Sequence, residues 1–398
     1  MSRTEVPLRS LAAVNGLQTG PFGSQLKAEE YTNNGIPVIM PKDVFSGRIV
    51  ENGIARTSDD KAKKLAKHRV KPGDIIFPRR GDLGRIGVTT EENAGWICGT
   101  GCLRARLKDD VDSRYIHQYV QLESVKRWLK SNALGQTMLN LNTEIIGNLP
   151  IYVIPRKEQT AIADLLSTWD QAIEKIERLV EAKEKEFKCL LNKLINEENK
   201  GGKWLRVKLG AVAEIPPQEK LVSVERETLL TVRLHCKGIE ENLRIEPKLT
   251  ERGRPYFRRF AGELLIGRQN FHNGGFGIVP PELDGLIASN AITSLRVKKG
   301  LLDTDFLFCF LSRPNYYKRI GRIMDGTGQK ELSDKQIRHL SLTIPPLDQQ
   351  KQIASILNTA RQEIDLLKKQ AEAYRKQKRG LMQKLLTGTW RVIKKGEG

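Results

Sequence analysis

At 398 residues the chain is long enough for two or three domains, and its 67 Lys and Arg against 47 Asp and Glu leave a net charge of +20. An excess that large points to a polyanion, nucleic acid first and an anionic membrane surface second. The membrane is disfavoured because no apolar run approaches the roughly 18 to 20 residues of a spanning helix and no signal peptide or lipidation motif is found; with 39% hydrophobic residues, ordinary cores are expected rather than a disordered basic tail.

Residues 1–154 read as a first α+β domain. Its β-prone runs are short and broken by Gly, Asn and Pro: Ile36–Met40, Asp74–Phe77, Ile86–Thr90 and Ile151–Ile154, with one helical stretch from Arg114 to Asn132. Three of its loops carry residue types suited to nucleic acid. Gly20–Ser24, with Ser24, Lys27 and Lys42, suits close approach to phosphate. Arg79, Arg80 and Arg85 flank a Gly81–Gly84 turn directly after a strand, and Gln136 and Asn140 sit in an amide-rich loop. Arg forks onto guanine O6 and N7, whereas Asn and Gln pair with adenine N6 and N7. The bland alternative for each is a solvated turn residue or a phosphate contact.

Residues 155–200 follow as a long helix. Pro155 opens it, Gly201 and Gly202 close it, and Ile162, Leu166, Trp169, Ile173, Ile176, Val180, Lys183, Phe187, Leu190 and Leu194 recur at alternating spacings of four and three. A second domain spans 201–346, with strands at Glu263–Ile266, Gly277–Val279 and Leu340–Ile344 and a helical stretch from Asp305 to Met324. Its polar loop candidates are Arg268, Gln269, Asn270, His272 and Asn273, then Gln329 and Lys330. The Pro345–Pro346 pair opens a second long helix at 347–390, whose seam is Ile353, Leu357, Ala360, Ile364, Leu367, Ala371, Tyr374, Lys378, Leu381 and Leu385, ahead of a 391–398 tail.

The second half restates the first. Val6–Ala12 reads like Val207–Ala213, Pro72–Phe77 like Ala261–Ile266, and Gly84–Val88 like Gly274–Ile278. The offset varies within the domains and then settles at 191 along the two helical seams. Loops therefore differ in length inside a shared fold, while the helices do not. Each helix is roughly 50 to 60 Å long. The short 199–203 link places the second domain at the carboxyl end of the first helix, so an antiparallel pair is expected: two similar domains at opposite ends of a coiled-coil rod, with a pseudo-two-fold axis. The alternative is two separate helical hairpins.

No chemistry of catalysis is legible. There is no phosphate-cradling Gly-rich loop with Lys and Ser/Thr, no Asn/Asp-Pro-Pro-aromatic segment of an amino-methyltransferase, and no carboxylate–lysine nuclease cluster. The histidines (His68, His117, His235, His272, His339) lack metal-ligand spacing. Cys98, Cys102, Cys189, Cys236 and Cys309 form no paired Cys-x-x-Cys motifs, which favours buried thiols and a reducing cytoplasm. A non-catalytic reader of double-stranded DNA is the leading reading. A coiled-coil scaffold for RNA or an acidic protein, and a methyltransferase or nuclease with an unrecognised site, are the alternatives.

Thr19–Ser24, Pro72–Phe77 with Arg80–Gly84, and the proline-led Glu158-Gln159-x-x-Ile162-Ala163 helix start together resemble the specificity subunit of type I restriction-modification enzymes, and the resemblance runs over essentially the whole chain. It implies that each globular half is a target recognition domain reading one part of a split, asymmetric DNA site. It implies too that the helices space the two readers and dock two methyltransferase subunits, through Glu158, Gln159, Gln349 and Gln350. Restriction subunits then join the complex. S-adenosylmethionine, ATP and Mg would sit on those partners, with no cofactor and no metal on this chain. The second helix start departs from the pattern, with Gln349-Gln350 in place of Glu-Gln.

Overall fold

The computed structural model describes residues 4–45, 47–135, 139–196, 204–250, 253–322, 324 and 331–392. The chain divides into two compact units, Met1–Ile176 with Gln370–Gly398, and Glu177–Lys369. Each unit therefore owns one α+β domain and a portion of both long helices.

In the first unit an antiparallel sheet runs Ala12–Thr19, Cys102–Leu107, Ile75–Pro78, Gly87–Val88. A second sheet runs Ile97–Cys98, Ile36–Ile39, Ala55–Thr57, Tyr31–Thr32, with its first pair parallel. Thr4–Pro7 closes the domain by pairing antiparallel with Pro150–Val153, the strand that leads into the long helix. The second unit repeats the plan. Ala213–Glu214, Ile292–Val297, Leu264–Gly267 and Phe276–Ile278 make the antiparallel sheet, and Leu205–Lys208 pairs with Ser341–Ile344. Its other sheet is ordered Ile239–Asn242, Leu229–Val232, Ile287–Ser289, Tyr256–Arg258.

The helical stretch expected in each domain is two helices, Ser113–Val120 then Glu123–Asn132, and Thr304–Leu311 then Pro314–Ile320. In the second domain Pro314 lacks an N–H and forces Arg313 out of the helical region, to ψ 122°. In the first, Leu122 turns to ψ 138° and buries itself, while the Gln121 amide donates to the Ile86 carbonyl.

The long helices are Arg156–Leu194 and Leu347–Leu386, each about 60 Å at 1.5 Å per residue. They run antiparallel in both units. In the first, Ile162 and Leu166 share a core with Met382, Leu385 and Leu386, Trp169 meets Tyr374 edge-on at 5.5 Å, and Lys378 pairs with Asp170 at 2.6 Å. In the second, Leu191 and Ile195 share a core with Ile353 and Leu357, and Lys183 pairs with Glu363 at 3.2 Å. Every seam position read from the sequence is buried or half-buried. At the carboxyl ends the inward stripe moves by one residue: Leu190, Leu194 and Leu381 are only half-buried, whereas Leu191, Ile195, Met382 and Leu386 are buried. There the helix packs against a domain core as well as its partner, so the neighbours that define "inside" change.

A carboxylate staples each antiparallel sheet to its turn. Asp74 accepts from the Lys71 backbone N–H at 2.8 Å and takes Arg106 through two bonds of 2.8 and 2.7 Å. Glu263 repeats this with the Phe260 N–H and Arg296, both near 3 Å. A further arginine, this one buried, is found in each domain, yet on different segments. In the first it is Arg104, donating to the carbonyls of Lys67 and Arg69 and to Gln18. Its counterpart is Ser294, and in the second unit the buried cation is Arg259, which occupies the place of Val70: each donates its N–H to the carbonyl preceding the next strand, Trp96 or Leu286. Arg259 donates to the carbonyls of Ile292 and Ser289, and burial pushes its pKa down to about 10.

His117 carries a pH prediction. Its ring packs so closely on Gly47 that an added Cβ would stand 2.9 Å from Cε1. Burial first, then the charge of Lys378, push its pKa down to about 4, with the Ile86 carbonyl and Asp170 opposing. An unfolded histidine titrates near 6.5. Between those values the unfolded chain binds the extra proton, so this group's contribution is whole above about pH 6.5 and is lost as pH falls towards about 4. Denaturant midpoints measured from pH 7 to 4 should fall less steeply in His117→Asn than in the parent; identical slopes would rule out this contribution.

Candidate nucleic-acid interface

In the first unit several loops converge at one end of the antiparallel sheet. The Arg79 N–H donates to the Gly101 carbonyl at 2.7 Å and its own carbonyl accepts from Leu141 at 2.9 Å, which ties the end of the Ile75–Pro78 strand between two turns. From there the guanidinium lies 5.6 Å from the centre of the Phe22 ring and donates to the Asn140 amide oxygen at 3.2 Å. Phe22 is 54% exposed at the tip of the Gly20–Ser24 loop. That loop is held by the Thr100 hydroxyl, which donates to the Pro21 carbonyl. Arg80 is exposed and bridges Asn140 through the backbone, so Arg79, Arg80 and Asn140 form one cluster with Phe22. Ser24 is exposed on the same loop.

The remaining first-unit candidates are more loosely placed. Arg85 pairs with Asp82 at 3.5 Å, an exposed pair of little energetic weight. Lys42 donates to the Gly53 carbonyl; its neighbour Pro41 packs 3.4 Å from where a Cβ on Gly101 would stand, which keeps Lys42 near the same turns. Lys27 is exposed beside Glu29. Gln136, Gln329 and Lys330 lie outside the described residues.

The equivalent place in the second unit is built alike and charged differently. Arg268 makes the same backbone ties, to Ala291 and Leu332. Its guanidinium, however, pairs with Glu331 at 2.9 Å, where the first unit has Asn140. Arg268 is therefore neutralised within its own unit, and Arg79 is not. His272 is also less available than its loop position suggested: it packs on Gly321 and its Nδ1 is buried. Asn270 is exposed, Asn273 is half-buried against it, and Gln269 is half-buried and partnered. Phe22 is the residue that sequence reasoning passed over, although an aromatic one position beyond Gly-Pro is a signal for a displayed ring.

The helix starts also sort themselves. Gln159 is buried, donating to the Ile154 carbonyl and accepting from the Asp112 N–H. Gln350 is buried likewise, donating to the Pro345 and Leu301 carbonyls and accepting from the Asp303 N–H. These amides fasten each helix to its own domain, so their polar atoms are engaged within the chain. Glu158 is half-buried and Gln349 exposed.

Among the described residues no group of His, Cys, Asp and Glu is arranged to hold a metal ion, and no helix is long and apolar enough to cross a membrane.

The repeat and its paired helices define a protein of two similar α+β units, each carrying part of two long antiparallel helices. The type I restriction modification DNA specificity domain matches residues 18–184 and 258–373, so the chain belongs to the specificity subunits of these systems, a non-catalytic family within the restriction enzyme complex. It is 22% identical over 344 residues to the type I restriction enzyme MjaVIII specificity subunit of Methanocaldococcus jannaschii, covering 80% of this chain and 77% of that one. Its fold is similar to the type I S subunit from M. genitalium, with a TM-score of 0.63 and 18% identity over 97% of this chain and 96% of that one. A chain solved in a study of complex assembly and conformational transition of the type I R-M system gives a TM-score of 0.57 at 15% identity, covering 96% of this chain and 97% of that one.

Proposed function

We propose that each unit reads one half of a bipartite, asymmetric site in double-stranded DNA, that the paired helices set the gap between the halves, and that they dock two methyltransferase subunits, to which restriction subunits are added. S-adenosylmethionine, ATP and Mg belong to those partners in this reading. One observation carries it: the same backbone frame holds Arg79 with Asn140 in one unit and Arg268 with Glu331 in the other. A duplicated frame with exchanged polar side chains suits two readers of different sequences, since Asn140 beside Arg79 can itself face a base edge while Glu331 beside Arg268 offers only acceptors and cancels its charge. Docking would fall to the exposed outer surface of the helices near Glu158 and Gln349 rather than to the buried amides.

Mapping methylated bases in cells carrying this chain with its methyltransferase is expected to yield a two-part motif with a fixed gap. A continuous motif would overturn the reading, and so would methyl transfer by the purified chain alone. Arg79→Ala is expected to relax one position of one half-motif, by about 1–3 kcal/mol of discrimination.

A further inference from the structure

The second unit holds a strained hairpin tip. Strands Leu229–Val232 and Ile239–Asn242 are joined through Arg233–Gly238, closed by the Arg233 N–H donating to the Gly238 carbonyl at 2.9 Å. Inside this turn two successive residues with side chains, His235 and Cys236, adopt left-handed φ angles of 60° and 57°. That conformation costs roughly 1–2 kcal/mol per residue and persists only where the surroundings impose it.

Here the surroundings are the loop already singled out for nucleic acid. The His235 and Cys236 N–H groups each donate, at 2.8 Å, to the carbonyls of Asn273 and Gly274. Glycines make the room: a Cβ on Gly274 would stand 3.0 Å from the Cys236 nitrogen, and one on Gly277 would stand 2.7 Å from Gly238 Cα. With both N–H groups turned inward and Cys236 half-buried, the side chains of Leu234, His235 and Lys237 are left exposed. The strain thus holds an imidazole and an ammonium exposed on the turn that the Asn273–Gly274 backbone anchors, whereas Arg268 is neutralised by Glu331.

We propose that the tip Leu234–Lys237 is the base-reading element of the second unit, with His235 its specificity-determining side chain and Lys237 beside it on phosphate or guanine. This rests on the DNA-reading function above and names where the second half-site is read. An imidazole presents one nitrogen as donor and the other as acceptor, so a fixed ring can match one base edge and leave a polar group unpaired against another.

The test is methylome mapping of the complete complex carrying His235→Gly, His235→Asn or Lys237→Ala. Glycine and asparagine both accept the left-handed backbone, so folding is preserved and His235→Gly should leave thermal stability unchanged or raised. His235→Gly is expected to reduce discrimination about tenfold at one position of the second unit's half-motif, with the other half unchanged; His235→Asn should shift the preferred base there. Lys237→Ala should weaken binding more evenly. Unchanged discrimination in both His235 variants overturns the assignment of the tip, as does relaxation in the first unit's half. A parent complex without any gapped motif would instead sink the underlying DNA-reading function.

Discussion

Asp74→Ala is expected to destabilise the first unit by about 3–5 kcal/mol, the cost of removing one member of a buried ion pair. Asp74 is 1% exposed and Arg104, 4.0 Å away, is 4% exposed. The substitution would strand the Arg104 guanidinium on neutral acceptors, release both bonds to Arg106 and uncap the Lys71 turn. The loss exceeds the net worth of the pair because a buried charge is left behind. Differential scanning calorimetry should show an early transition displaced to lower temperature. Asp74→Asn, which keeps an acceptor for the turn, should recover part of the deficit; equal losses in the two variants would show that charge is not the cause.

Gly20→Ala is expected to cost about 3 kcal/mol, the upper end for overpacking, because rigid backbone stands where the methyl would go. The added Cβ would lie 1.9 Å from the Gly99 oxygen and 2.5 Å from its carbon. Relief requires parting the end of the Ala12–Thr19 strand from the turn that ties Arg79, so the Phe22 display and the Arg79 perch should fail together. Loss of the first half-motif with the second retained is the expected methylation pattern. Gly23, three residues on, has open space around its Cβ position, and Gly23→Ala should change stability by less than about 0.5 kcal/mol. Comparable losses at both glycines would refute the close-approach argument.

The long helices and the duplication were legible because each rests on many residues: an apolar stripe kept over 39 and 40 residues survives individual exceptions such as Lys183 and Lys378. Of the central strands, Ile75–Pro78 and Leu264–Gly267 were legible as apolar runs, and the strand beside the first was not. Cys102–Leu107 carries Arg104 and Arg106 and reads as a charged segment, since the acid that accommodates them stands in the turn before another strand. Pairwise facts of this kind also decide the candidate site. Arg79 and Arg268 look alike in sequence; only the fold brings Asn140 to one and Glu331 to the other. Gln159 and Gln350 looked like exposed polar residues at the start of a helix, and their burial follows from backbone groups of the preceding domain. The left-handed His235–Cys236 tip has no compositional mark of its own, because Cys does not favour that region and the preference of His for it is too weak to mark a turn without Gly or Asn.

The exchanged buried arginine has a consequence for how the two halves can diverge. One guanidinium joins the same two segments in each half, entering from Arg104 on one side and from Arg259 on the other. Changing Ser294 to the arginine of its twin would confront two cations in one closed space, and changing Arg259 to valine first would leave that space without any. Either single exchange is therefore expected to destabilise the half that carries it, so the two halves are not interchangeable one residue at a time at this place.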